Sequence, residues 1–301
     1  SFHRHSIMVR VVSKMTRRTI QSALSLVSGG FLFLSALSFP LSARSDNYAK
    51  TSPSGWVEDD GPPAAVVTRD KSGKMILQGG VKHSVDLPSL PSALKAGSFF
   101  DEKALPKPPH DDQWYLIPDW LAGRWLRSEE TILSTYRFDT HTQNNQPRTI
   151  ALQEMADFGV QRDSAGHIWH YRLATRGMAD KGSTLSIALV QSQEPLSVTD
   201  QEVVIRDVFT ELQVNRATSV IIEAKQAESI SHYLPVKDGT IRTSVSIKFF
   251  QEDGTPDRQQ ENVSTERRIE AFSPCNSYKG LDLKKSFADY LRASGKASLI
   301  P

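Results

Sequence analysis

The residues of this chain that could do chemistry are its histidines, its carboxylates and one cysteine, Cys275. A thiolate nucleophile needs a nearby base or a positive field, and residues 273–276 match no thiol-enzyme motif. His167 and His170 stand three positions apart, so in a strand they point to opposite faces and cannot bind one ion together. The sequence therefore predicts a free thiol at Cys275 and no metal site at these histidines.

Carboxylates are the second group of candidates. His110 stands beside Asp111 and Asp112, which suit a metal by type, but their Pro-rich surroundings favour a solvated linker. Eight further carboxylates alternate with apolar residues in strand-like segments, so most are expected to face outward. They are Glu129, Glu130, Glu154, Asp157, Glu202, Asp207, Glu211 and Glu223. Arg206 and Asp207 interrupt an apolar run, so either one of them points inward at a polar pocket or the strand bulges there.

Recognisable catalytic motifs are missing from the sequence. It contains no Gly-x-Ser-x-Gly nucleophile elbow, no phosphate-binding loop and no His-Glu-x-x-His zinc helix, and its carboxylates form no arguable acid–base pair. We therefore expect neither an enzyme nor a bound cofactor or metal ion, and non-catalytic binding is the favoured class.

The elements that must position these residues are strands, because polarity alternates with a period of two from Gly123 onward. In the predicted strand over 167–175, Trp169, Tyr171 and Leu173 share one side, which we expect to face inward. Turn sequences recur at 163–166, 237–240 and 252–255. Regularly spaced strands without intervening helices predict an antiparallel β-barrel or sandwich of about eight to ten strands.

The two ends of the chain differ from this strand series. Near the C-terminus, apolar residues at 283, 287, 290 and 291 have helical spacing, with Asp282 as the cap and Gly295 after the last turn. Residues 44–113 hold eight of the sixteen prolines, which predicts an extended arm. Within the arm, residues 64–68 and 74–77 flank a turn sequence and form a predicted hairpin.

Residues 1–43 have the composition of an export signal. Basic residues near Met15 precede an apolar stretch over 23–39, and small residues ending at Ala43 offer a cleavage site. We expect cleavage there rather than a membrane anchor, since serines and glycines interrupt the stretch. Without the five basic residues of this segment, 31 basic and 34 acidic residues remain, a net charge of −3. The sequence therefore predicts a periplasmic or secreted protein that does not bind nucleic acid.

The segment Pro118 to Trp125 holds a Gly-x-Trp motif, Gly123 and Trp125, at the start of the first long strand. The motif resembles the signature of lipocalins and other calycin-type β-barrels. The resemblance implies that the tryptophan closes one end of the barrel, that an arginine of the last strand stacks on it, and that a helix follows. Alternation favours Arg267 for this arginine, with Arg268 as the alternative. The length of the strand series is similar to that of the wider calycin relatives.

Together these observations predict an up-and-down calycin-like β-barrel over 114–301 with a C-terminal helix. We expect a small apolar or amphipathic ligand held among Phe138, Trp169, Tyr171 and Leu173. The alternative is a structural or interaction subunit of the cell envelope that docks on a partner protein through the arm, residues 44–113, by strand addition.

Overall fold

The computed structural model describes residues 68–69, 75–76, 82–102, 105, 114–173, 176–237 and 239–301. The predicted export signal and the His110 cluster lie outside the described residues. The strands are β1 (Thr68–Arg69), β2 (Met75–Ile76), β3 (Tyr115–Ile117), β4 (Gly123–Arg137), β5 (Thr142–Asn144), β6 (Arg148–Phe158), β7 (Gln161–Arg162), β8 (Ile168–His170), β9 (Arg176–Lys181), β10 (Thr184–Val198), β11 (Val203–Asn215), β12 (Val220–Lys237), β13 (Thr240–Phe250), β14 (Pro256–Ala271), β15 (Ser277–Tyr278) and β16 (Leu281–Asp282). Among the described residues, helix α1 spans Leu283–Ala293, and 3-10 turns span Ser92–Leu94 and Ala297–Leu299.

A nine-stranded antiparallel sheet forms the centre of the fold. Its order is β5–β4–β14–β13–β12–β11–β10–β9, and β6 pairs with β4 as well. Alternation explains these long strands: at the start of β4, Gly123, Trp125 and Arg127 are buried, whereas Arg124 and Leu126 between them are half-buried. The mainly β, antiparallel fold predicted from the sequence is confirmed.

This sheet is strongly curled. Strands β4 and β11 are four positions apart in it, which in a flat sheet would separate them by about 19 Å. Nevertheless, Trp125 on β4 and Ile205 on β11 belong to one packed apolar cluster, together with Ile241 on β13. We call the face that carries these three residues the inner face and the opposite one the outer face. Among the described strands, no ladder joins the edge strands β6 and β9.

A small sheet with the order β3–β8–β7 follows directly from the end of β6. Its residues Tyr115 and His170 are paired in register, and their rings are 5.2 Å apart. The ring of His170 is also 5.7 Å from that of Phe158, the last residue of β6. The small sheet therefore packs against the same edge of the large sheet that β6 forms.

The C-terminal helix agrees with the prediction. The Asp282 carboxylate accepts a hydrogen bond from the Lys285 amide at 2.9 Å and caps α1. Leu283, Phe287 and Leu291 are fully buried on one side of the helix, because their spacing places them on one stripe. They pack on the small sheet and its flanking residues.

Residues 82–102, which we call the docked segment, lie on the outer face. Leu87 and Leu90 donate backbone hydrogen bonds to Gly254 and Glu252 of the β13–β14 turn, at 3.0 and 2.7 Å. Further along, Phe99 forms a bridge with Val220 at the start of β12. This part of the predicted arm is therefore bound to the sheet rather than free.

The predicted hairpin in the upstream part of the arm is confirmed. Strands β1 and β2 pair antiparallel and form a two-stranded sheet of their own. Within the described ranges, no helix combines the length and the apolar character that crossing a bilayer would require.

Candidate functional site

The aromatic residues predicted to bind a ligand lie under helix α1. Trp169 and Tyr171 are 3% and 6% exposed, and they pack with Trp114 and Phe287. The Trp114 ring stacks on Tyr171 with 4.9 Å between centroids and lies 4.7 Å from Phe287. These rings form part of the core that holds the helix. The expected alternation fails because β8 ends at His170, and all three of its residues are buried.

The other two predicted ligand residues are elsewhere. Phe138 follows β4 and packs edge-on against Tyr136, with 5.1 Å between ring centroids. Leu173 is partly buried at the edge of the apolar cluster under helix α1. Together with Cys275 and Tyr278 it lines a surface groove of about 280 Å³. The structure thus does not bring the four predicted residues together. Cys275 donates to the Ser277 carbonyl at 3.3 Å.

The residues of the Gly-x-Trp motif have clear structural roles. Trp125 is 1% exposed and donates from its indole nitrogen to the Leu121 carbonyl at 2.8 Å. Gly123 has a φ of +127°, and a Cβ at this position would lie 2.6 Å from the Glu270 carbonyl oxygen. Both observations explain why glycine stands here.

The arginine that stacks on Trp125 is Arg268, and the prediction of Arg267 is wrong. The Arg268 guanidinium carbon lies 4.8 Å from the centre of the Trp125 ring, and the same group donates to the Trp120 carbonyl. In register, Arg268 stands opposite Trp125, whereas Arg267 stands opposite Leu126. Since neighbouring residues of a strand point to opposite faces, Arg267 is on the outer face. Val263, Thr265 and Arg267 do share one side of β14, as alternation predicts, but register places that side on the outer face.

The inner face holds a band of buried polar side chains, which we call the polar layer. Its members come from six neighbouring strands of the sheet. They are Glu154 on β6, Arg127 and Glu130 on β4, Asn262, Ser264 and Glu266 on β14, Thr243 on β13, Ser229 on β12 and Asp207 on β11. Register places Arg127 directly opposite both Glu266 and Glu154, and Ser229 opposite Asp207.

Arg127 is the centre of the charges in the polar layer. It donates to Glu154, and its Nη1 atom lies 3.8 Å from Glu130 Oε2. The Glu130 Oε1 atom accepts a hydrogen bond from Asn262 at 2.5 Å. Glu266 accepts from the Thr243 hydroxyl at 2.8 Å. One guanidinium group therefore faces three carboxyl groups.

Several atoms of the polar layer have no hydrogen-bond partner although they are buried. They are Glu130 Oε2, Glu154 Oε1, Asn262 Oδ1, Arg127 Nη1 and the hydroxyls of Ser229 and Ser264. Glu130 and Asn262 are only 1% and 2% exposed. A buried polar atom without a partner costs about 1–3 kcal/mol, and buried polar atoms in folded proteins are usually paired with protein groups or water. The concentration of such atoms makes the polar layer the candidate functional site.

Burial shifts the protonation of these groups. Burial raises the pKa of Glu154 to about 7, and the nearby Arg127 only partly offsets this effect. Burial also raises the pKa of Glu266. Arg127 shows the opposite balance: burial acts against its charge, but Glu154, Glu130 and Glu266 outweigh it and raise its pKa. The layer therefore keeps its guanidinium charged and can take up a proton on Glu154 near neutral pH.

Asp207 extends the polar layer toward the small sheet. It accepts a hydrogen bond from Gln193 at 2.9 Å, and burial raises its pKa to about 7. Tyr233 stands opposite Thr243 in the sheet, and burial, followed by the charges of Glu266 and Asp207, raises its pKa.

The outward orientation predicted for the carboxylates is wrong for Glu130, Glu154 and Asp207. Glu130 and Asp207 are buried, and the Glu154 side chain is 10% exposed. The sequence contained one signal for this site, because the interruption at Arg206 and Asp207 indicated a polar pocket. Asp207 faces inward, because it stands opposite Ser229 of the inner face. A bulge also occurs here, but on the neighbouring strand: the ladder of β10 with β11 shifts between Val190 and Ser192, which stand opposite Phe209 and Val208.

The described side chains of His, Cys, Asp and Glu include no group of three or more that converges as a metal site requires. His167 bonds to Asp163 at 3.0 Å. His170 is buried, which lowers its pKa to about 4.

No protein family model, no curated protein and no solved structure matches this chain.

Proposed function

We propose that this protein is a non-catalytic binding protein that holds a small polar or amphipathic ligand against the polar layer. The observation that carries the proposal is the set of buried atoms without partners, above all Glu130 Oε2 and Asn262 Oδ1. A bound molecule that supplies hydrogen bonds to them offsets their desolvation. An entirely apolar ligand would leave them unpaired.

The apolar surroundings of the layer support an amphipathic ligand. On one side of it lies the cluster that contains Trp125 and Ile205. On the other side lies a second cluster, which includes Phe209 and Phe249. Along β13 the inner face accordingly runs from Ile241 through Thr243 to apolar residues again. A ligand with a polar group and an apolar body suits this succession.

The architecture that we propose for the site is a calycin-like barrel. The curl of the large sheet brings its strands around the polar layer, and the small sheet β3–β8–β7 fills the gap beside β6. Two ring contacts of His170, with Phe158 and Tyr115, support this position of the small sheet. We also propose export after cleavage near Ala43, which rests on the composition of residues 1–43.

A thermal-shift screen of small polar compounds with the purified protein tests the proposed function. A binding compound raises the Tm because it binds the native state only. The variant Ser264→Leu places an apolar side chain in the polar layer and is expected to abolish the shift. The matched control is Ser244→Leu, since Ser244 is a half-buried residue of the outer face and its replacement leaves the inner face unchanged.

Two results would count against this proposal. If no compound shifts the Tm, the polar layer is a structural feature. If the shift persists in a folded Ser264→Leu variant, the compounds bind elsewhere, and the groove beside Leu173 and Cys275 becomes the next candidate.

A further inference from the structure

We infer that the ligand of the polar layer is a small organic cation, with an ammonium group bound beside Glu130, Glu154 and Asn262. This inference rests on the proposed function and names the chemical class of its ligand. It follows from the charges of the layer, from the kind of atom left without a partner and from the absence of converging metal ligands among the described side chains.

The charges of the layer are the first argument. Glu130 and Glu154 both form ion pairs with Arg127, and Glu266 stands opposite Arg127 in the sheet. The positive charge of Arg127 is therefore the one that these three carboxyl groups share, and all of them lie where charges are poorly solvated. A second positive charge brought by a ligand improves this balance, whereas an anion worsens it.

The atoms without partners are the second argument. The layer's atoms without a hydrogen-bond partner include one guanidinium nitrogen and two hydroxyls. The other three, Glu130 Oε2, Glu154 Oε1 and Asn262 Oδ1, are acceptors only, so each requires a donor. Arg127 Nη1 does not serve Glu130 Oε2, because the two atoms are 3.8 Å apart. The three acceptors are close together, because Glu130 and Glu154 contact Arg127 and Asn262 donates to Glu130. An ammonium group carries three donors and no acceptor. Its hydrogen-bonding capacity therefore matches the three oxygen atoms.

Two competing occupants fit less well. Water can donate to these oxygens, but it adds no charge beside the three carboxyl groups. A metal ion requires several converging ligands, and within the described part of the chain no such group of His, Cys, Asp or Glu occurs. Cation binding is also linked to the protonation of Glu154, whose pKa is raised by burial. A bound cation favours the ionised form of this carboxyl group, so binding releases its proton.

Matched sets of probes test the charge of the ligand in isothermal titration calorimetry with the full exported chain. The members of each set share one apolar group and differ in the polar group, which is an amine, an alcohol or a carboxylate. The first set is butylamine, 1-butanol and butyrate, and the second and third sets carry a hexyl and a benzyl group instead of the butyl group. We expect the amines to bind at least tenfold more tightly than the corresponding alcohols, and the carboxylates not to bind. We also expect amine affinity to rise between about pH 6 and pH 8, as Glu154 ionises.

The variant Glu130→Gln removes one charge and keeps the side-chain shape, so amine affinity should fall at least tenfold. Glu129→Gln is the matched control, because this neighbouring side chain is exposed and its loss should leave affinity unchanged. If Glu130→Gln does not fold, the pH dependence of the wild-type protein decides. Binding of alcohols or carboxylates that exceeds that of the amines would overturn the inference and leave the proposed function standing. If no probe binds and the polar screen finds nothing, both fail.

Discussion

The rings of Phe158 and Tyr233 are 5.1 Å apart and nearly perpendicular, although they belong to strands four positions apart in the sheet. A flat sheet would hold β6 and β12 about 19 Å from each other. The contact between these two rings therefore requires that the sheet is curled, with the polar layer on its inner face. Tyr233 is also the residue whose pKa responds to burial and to the carboxyl groups at both ends of the layer.

Removal of this contact should weaken the whole fold. Phe158 is 4% exposed, so Phe158→Ala should lower the free energy of unfolding by about 3–5 kcal/mol. Urea denaturation followed by circular dichroism measures the loss. Phe99→Ala is the control, since Phe99 is 69% exposed and its replacement should cost much less. Equal losses in both variants would mean that Phe158 does not hold the curl.

The stacking of Arg268 on Trp125 leads to a second prediction. A cation–π contact contributes about 0.5–2 kcal/mol, and Arg268 also donates to the Trp120 carbonyl. Arg268→Gln should therefore destabilise the protein by about 1–3 kcal/mol. The neighbouring variant Arg267→Gln, on the outer face, should change stability by less than about 0.5 kcal/mol. A larger loss in Arg267→Gln than in Arg268→Gln would reverse the assignment.

Gly123 provides a third prediction. Gly123→Ala should destabilise strongly, because the new Cβ would meet the Glu270 carbonyl oxygen at 2.6 Å in addition to the unfavourable φ. Gly166→Ala isolates the second effect: Gly166 has a φ of +94° and no atom within 4 Å of such a Cβ, so it should lose only about 1–2 kcal/mol. Thermal denaturation compares the two variants. Similar losses would show that the close approach to Glu270 is unimportant.

The features that the sequence could predict are local. The Gly-x-Trp motif, helix α1 with its Asp282 cap and the β1–β2 hairpin each depend on residues that are neighbours in the sequence. The polar layer could not be predicted in this way, because alternation shows which residues of a strand share a face but not which face of the sheet is enclosed. The outer face of this sheet is also covered: His83 of the docked segment bonds to Glu228 at 2.8 Å across 145 positions of sequence. Both faces thus bury polar residues, and charge alone did not distinguish them.

The buried carboxyl groups predict a dependence of stability on pH. The pKa of Glu154 rises from its ordinary 4.5 to about 7 in the folded protein because of burial. A carboxyl group with a raised pKa contributes most stability below pH 4.5, and this contribution is lost as the pH rises to about 7. The variant Glu154→Gln cannot ionise at this position, so its stability does not show this decrease with rising pH. The stability of Glu154→Gln relative to wild type should therefore increase between pH 4.5 and pH 7.

Urea titrations of wild type and Glu154→Gln at several pH values measure this difference. Taking the difference cancels other titrating groups, including His170, whose pKa burial lowers to about 4. Glu129→Gln is the control for loss of a carboxyl group outside the polar layer, since Glu129 is exposed. A difference between Glu154→Gln and wild type that does not change with pH would place Glu154 in contact with solvent and remove it from the polar layer.

The central claim is that the polar layer binds a polar molecule, and a high-resolution crystal structure tests it most directly. The account predicts electron density for an ordered molecule within hydrogen-bond distance of Glu130 Oε2, Glu154 Oε1 and Asn262 Oδ1. Soaking with an amine that binds in solution should place its nitrogen there. The contrary result is a collapsed layer, in which these three oxygens bond to other protein groups and no density lies between them.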